Sequence, residues 1–136
     1  MLGETKYSGF QYGIRRTFHV PLEKAWDYMF SDEGLALWLG HPESPLAIRK
    51  HYKTREGTEG IVRIFKPRSH VRLSWKPTHW DNFSTVQLRF IGDDRKTTIS
   101  IHQEKLSGPE QRVEMKRHWS AVMEKIKDVM NHLAHG

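Results

Sequence analysis

The sequence contains no cysteine. That removes disulfides, thiolate nucleophiles and cysteine-ligated zinc from any account of its stability or chemistry. Long apolar runs are missing too: no stretch approaches the about 20 residues a helix needs to span a bilayer. The opening residues, MLGETKYSGF, lack the basic-then-apolar order of a signal peptide. A cytoplasmic location is therefore expected. Also absent are G-x-G-x-x-G, a P-loop, G-x-S-x-G and H-E-x-x-H, so dinucleotide, nucleotide, hydrolase and zinc-protease chemistry has no anchor. No repeat, low-complexity tract or linker divides the 136 residues, and the length suits a single domain over 1–136 with its own core.

Acidic residues are scarce in one region. The chain carries 22 Lys and Arg against 16 Asp and Glu. Nine of the basic residues fall between Arg49 and Lys76, against Glu56 and Glu59 alone, which leaves the remainder slightly negative. Such a segment suits an acidic protein partner or another anion, or simply a solvated outer face. A nucleic-acid module would interleave exposed aromatics with the cations. Here Val71, Leu73 and Trp75 take one parity while His70, Arg72 and Ser74 take the other, so nucleic acid is the disfavoured partner.

Aromatic residues are plentiful, with five Trp, four Tyr and six Phe. They fall into readable periods. Tyr12, Ile14, Phe18 and Val20 alternate as a half-buried strand that Pro21 ends. Leu22, Ala25, Trp26, Met29 and Phe30 then recur at helical spacing. Ser31 suits the cap of a second short helix, with Asp32 and Glu33 in its first turn and Gly40 as its stop. HPESP (His41 to Pro45) reads as a turn and Leu46 to Lys53 as a weaker strand. Glu56 to Gly60 reads as a hairpin loop. Four further strands follow, around Ile61–Lys66, Val71–Trp75, Val86–Phe90 and Ile99–Ile101. From Ser107 the period lengthens. Ser-Gly-Pro-Glu has capping-box form, and Met115, Trp119, Val122, Met123, Ile126, Val129, Met130 and Leu133 make one continuous helical stripe. The class is α+β: about six antiparallel strands, two short helices after the first, and a long C-terminal helix.

This order, together with VPLEKAWDYMFSDEGLALWLG (Val20 to Gly40), GIVRIFKPRSHVRLSW (Gly60 to Trp75), STVQLRF (Ser84 to Phe90) and TTISIHQEKL (Thr97 to Leu106), resembles the START-like (SRPBCC, helix-grip) superfamily. Within it, the chain is similar to small bacterial proteins akin to the C-terminal domain of the activator of the heat-shock-protein-90 ATPase. The resemblance implies a curved sheet gripping the long helix, with space between them for lipids, polyketides or other apolar molecules.

The expected lining draws Met115, Trp119 and Met123 from the helix, Phe18, Tyr52, Phe65 and Trp75 from the sheet, and Trp38 from the short helices. Trp80 and Phe83 sit on a loop that would form a lid. Each of these also reads as ordinary core. Arg16 lies on the apolar parity of the first strand, where it would anchor a ligand carboxylate or pair with Glu23 or Asp27. Nine His are present, but no compact ligand spacing suggests a metal, and no cofactor is expected. Catalysis finds no motif. The expected function is non-catalytic binding of an apolar or amphipathic small molecule. A chaperone-activator-like protein-interaction module using the basic 49–76 segment and a cyclase- or dehydratase-type pocket enzyme are the alternatives.

Overall fold

Strand alternation and one helical stripe decide the architecture. In the computed structural model, which describes residues 4–5 and 9–135, the elements run β1 (Glu4–Thr5), β2 (Gly9–Phe18), α1 (Leu22–Met29), α2 (Asp32–Trp38), β3 (His51–Lys53), β4 (Glu59–Lys66), β5 (His70–Trp75), β6 (Ser84–Gly92), β7 (Thr97–Leu106) and α3 (Pro109–His135). Among the described residues the strands form one antiparallel sheet, ordered β1-β2-β7-β6-β5-β4-β3. The two-residue β1 aside, this is the expected six strands, and α3 lies across them.

The inner face follows from period-two burial. Val71, Leu73 and Trp75 on β5, Val86, Leu88 and Phe90 on β6, and Ile99 and Ile101 on β7 are all buried. Opposite them α3 buries Met115, Trp119, Val122, Met123, Ile126 and Met130 along one side. Each such side chain contributes roughly 1.5–3 kcal/mol on leaving water. A polar chain crosses this otherwise apolar layer. The Trp119 indole N–H donates to Gln103 Oε1 at 2.7 Å, Gln103 Nε2 donates to Ser84 Oγ at 2.8 Å, and Ser84 Oγ donates to the Trp75 carbonyl at 2.8 Å. Gln103 is fully buried, so both ends of its amide must be satisfied in place.

The first corner is equally tight. Ser31 caps α2 by accepting from the Gly34 N–H. Gly34 then sits so near α1 that a Cβ there would lie 2.0 Å from the Tyr28 carbonyl oxygen. Only glycine permits the two short helices to meet this closely.

Three local expectations need correction. Leu46 to Lys53 is not one strand: only His51–Lys53 pairs with β4. Arg49 takes a positive φ of 65°, and Lys50 N–H closes a turn on the Ala47 carbonyl, which breaks the alternation. At the start of α3, Gln111 rather than Glu110 reaches back, accepting from the Ser107 N–H at 2.9 Å. Arg16 keeps the inward parity of β2 yet is exposed, its Nη1 donating to the Arg15 carbonyl at 3.0 Å. Beyond Phe10, β2 has no described strand on its outer side, so the side chain swings over that edge into water. Glu23 pairs with Arg68 instead, at 3.2 Å.

The buried amide generates a prediction. Gln103→Leu strips the Trp119 indole of its acceptor and Ser84 of a donor while preserving volume. Urea unfolding should show a loss of roughly 2–3 kcal/mol. A loss below about 0.5 kcal/mol would mean the chain is dispensable.

Candidate functional site

The expected lining residues fall into two aromatic groups at different ends of β5. One surrounds Phe65, whose cross-strand partner is Val71 near the start of β5. Phe30 stacks on Trp26 with centroids 4.2 Å apart and meets Phe65 edge-on at 5.4 Å and Trp38 at 5.8 Å. Trp26 also meets Phe90 at 5.0 Å. The other group surrounds Trp75, the last residue of β5, with Trp80 at 5.3 Å and Trp119 at 6.2 Å.

Around the second group the side chains beneath α3 are shielded from solvent. Met115, Trp119, Met123, Trp75 and Trp80 are all buried, as are Phe18, Trp38 and Tyr52 elsewhere in the core. Tyr52 donates its hydroxyl to the Ser74 carbonyl at 2.6 Å; burial foremost, and then Glu59, raises its pKa above the usual phenol range. The 77–83 loop is fastened rather than free. Glu114 on α3 accepts from the Trp80 indole at 3.0 Å and meets His79 Nε2 at 2.7 Å, while Asn82 and Gln111 exchange hydrogen bonds. Phe83 points outward, half exposed beneath Lys76 Nζ at 5.9 Å. Two polar atoms in this region are buried without a protein partner, Trp75 Nε1 and His118 Nε2. Their rings lie 5.8 Å apart. Desolvation chiefly, with Lys125 adding to it and Glu114 opposing, holds the His118 pKa below its ordinary value.

An apolar-floored cleft lies at the first group. A cleft of about 420 Å³ opens between Phe30 and Leu35 at the corner of the short helices, Phe65 on β4, and the loop from Pro42 to Leu46. Its floor is apolar, and Asp32, Glu43 and Ser44 stand at its rim. The roof is an ordered loop. Pro42 bridges to Thr54, the Glu43 N–H donates to the Lys53 carbonyl at 2.9 Å, and the Arg55 N–H donates to the His41 carbonyl at 2.9 Å. Glu56 clamps its start, accepting from the His41 N–H at 2.8 Å and contacting the His41 ring at Nδ1, 2.5 Å away. Those two hydrogen bonds, backbone first, hold the Glu56 carboxyl down to about 2. Gly40 makes room for this: its φ is 121°, and a Cβ there would come within 2.5 Å of the Glu56 carboxylate.

Of the residues expected from sequence, only Phe65 lines this cleft directly, with Trp38 behind Phe30. Phe30 and Leu35 read as plain helix packing, and His41 to Pro45 as a plain turn. The usable signal was the pair Pro42 and Pro45 followed by an apolar Leu46, unusual for a solvated turn. Among the described residues no three His, Asp or Glu side chains gather as metal ligands, and no helix is long and apolar enough to cross a membrane.

The family described as Activator of Hsp90 ATPase homolog 1-like protein matches residues 19–131. No curated protein sequence matches the chain. Among solved structures, DynU16 of the dynemicin biosynthetic locus superposes with TM-score 0.78 at 14% identity, covering 89% of this chain and 47% of its own. CalU16 from Micromonospora echinospora gives 0.77 at 15%, covering 93% and 84%. PFC0360w, an HSP90 activator from Plasmodium falciparum, gives 0.74 at 18%, covering 90% and 97%. At these identities the three establish a shared fold. The chain spans about half the length of the first.

Two pH effects follow. His118 is depressed in the folded state, so the unfolded chain binds its proton first as pH falls. Stability should drop as pH is lowered through about 6.5, and His118→Phe should shrink that step in melting curves, leaving the part due to His70, whose pKa is also lowered. Glu56 is also depressed, so its contribution is complete above about 4.5 and is lost as pH falls towards about 2. Glu56→Gln should shrink that lower step, to which Asp93, held down by the Arg95 and Lys96 N–H groups, also contributes, and an unchanged profile would mean the clamp does not hold the loop.

Proposed function

The chain belongs to the Activator of Hsp90 ATPase homolog 1-like family, and on that premise we propose that it binds an apolar or amphipathic small molecule, without transforming it, in the cleft between the short helices, β4 and the 42–46 loop. The cleft itself carries this reading. It has a greasy floor of Phe30, Leu35, Leu46 and Phe65 and a few polar groups confined to its rim, the composition of small-molecule sites. Its volume of about 420 Å³ falls in the usual range for such sites. Burial of ligand surface would supply the drive at about 25 cal/mol per Å², less the cost of ordering the ligand.

The rim sets a preference. Asp32 and Glu43 are the carboxylates at the mouth, so the polar end of the ligand should be a hydroxyl or a cation rather than a carboxylate. Behind the floor, Trp38 meets Phe30 and continues the apolar interior.

The protein-interaction alternative drew on the 49–76 segment. In the fold its cations disperse: Arg68 pairs with Glu23, Arg72 with Glu104, Lys76 leans over Phe83, and Arg55 lies beside Asp32 and His41. A single docking patch made from that segment is therefore not favoured.

A panel of polycyclic aromatic alcohols, long-chain amines and fatty acids, followed by thermal shift and Trp fluorescence, tests the proposal. At least one alcohol or amine should raise the melting temperature and perturb Trp emission, with fatty acids weaker. Phe65→Ala should weaken that compound about tenfold, and Leu46→Asp should abolish binding, while Met115→Leu leaves it unchanged. No stabilising compound, or undiminished binding to Phe65→Ala, would overturn it.

A further inference from the structure

The sheet has a second face, turned away from α3, and its register assembles what the sequence scatters. Lys66 pairs with His70, His70 with Arg89, Arg89 with Ser100, and Ser100 with Arg15. These five residues form one straight row across β4, β5, β6, β7 and β2. At about 4.8 Å between strands the row is about 19 Å long. Its alternation with buried Val71, Leu88 and Ile99 puts every member on the outer side.

The row carries three permanent cations and a histidine and no acid. Among the described residues the carboxylates on the outward positions of those strands are Glu104, which Arg72 already engages at 2.6 Å, and Glu59 at the far end of β4, 3.5 Å from His51 Nε2. No described carboxylate pairs with Lys66, Arg89 or Arg15. The field of the row is felt within it: Arg89, Lys66 and Arg72 join desolvation in lowering the pKa of His70. Beside Arg15, the missing side chain of Gly13 leaves a depression of about 390 Å³ over Gly13, Ser100 and His102. Unpaired guanidinium groups above hydroxyl and amide neighbours suit bidentate capture of carboxylates.

From this charge complementarity we infer that the outer sheet face docks an acidic polypeptide segment of a protein partner, laid across the strands along the Lys66–Arg15 row. An extended segment of about six residues matches the row's length. Nucleic acid fits less well. The outward positions are Gly, Ser, Thr, Gln, His, Ile, two Glu and the cations, with no Phe, Tyr or Trp on which a base could stack. The site is separate from the α1–α2 cleft, on the opposite side of the sheet, and stands whether or not that cleft binds a small molecule.

Fluorescence anisotropy of a fluorescein-labelled octaglutamate peptide against the full chain tests it, at about 50 mM and about 500 mM NaCl. Binding should appear at low salt and fall about tenfold or more at high salt. Arg15→Glu/Arg89→Glu should reduce it at least tenfold, and the milder Arg15→Gln/Arg89→Gln should reduce it measurably should the first variant fold poorly. Lys116→Glu/Lys127→Glu, an equal charge change on the exposed side of α3, should alter it less than twofold. Equal losses in both pairs would reduce the effect to net charge and overturn the proposal. So would absence of binding, or tighter binding of a single-stranded oligonucleotide or of phosphatidylserine vesicles than of the peptide.

Discussion

One buried amide governs where the long helix can lie. An apolar stripe alone would let α3 slide or roll on the sheet at little cost, because dispersion and hydrophobic burial have no direction. The hydrogen bond from the Trp119 indole to Gln103 removes that freedom, since any slip strands a polar group inside the core. Gln103 is held in turn by Ser84, and Ser84 by the backbone of Trp75. Helix, β7, β6 and β5 are thereby locked in one relative setting. Everything that depends on their alignment follows, including which aromatic rings meet and where space is left over.

That setting explains why the Phe30–Phe65 cleft sits at the rim. Over the middle of the sheet Met115, Trp119 and Met123 close against Trp75 and its neighbours. Near the start of β5, α3 gives way to the two short helices, and their corner cannot fill the space as a long helix does. Gly34 brings that corner close to itself, and Gly40 turns the chain outwards so that the 41–46 loop arches over Phe30 and Phe65. The His41–Glu56 contact keeps the arch in place.

The strands and helices were legible because their causes are local. Leu73 and Arg72 alternate whatever their neighbours do, and the Met115-to-Leu133 stripe repeats at helical spacing in the sequence itself. Two kinds of feature were not. Arg49 shows one: an apolar alternation from Leu46 is cancelled by a single residue in the left-handed region, which residue type does not announce. The cationic row shows the other. Arg15, Ser100 and Arg89 are far apart in sequence and become neighbours only through the register of β2, β7 and β6, so the charge-dense segment reveals only Lys66 and His70 of the row. The candidate site fared likewise: Phe65 and Trp38 were found because they are large and aromatic, whereas the loop above them was hidden by its turn-like composition.

The ends of the sheet have a bearing on behaviour at high concentration. β3 is only three residues long and presents His51 and Lys53 to solvent, while the far side of β2 carries Arg15 and Arg16 where another backbone would have to approach. The β3 margin is short and the β2 margin is positively charged, and both features disfavour pairing with a neighbouring molecule's backbone. The arginines along β2 thus repel a second copy of the chain brought edge to edge, which disfavours growth of the sheet into filaments.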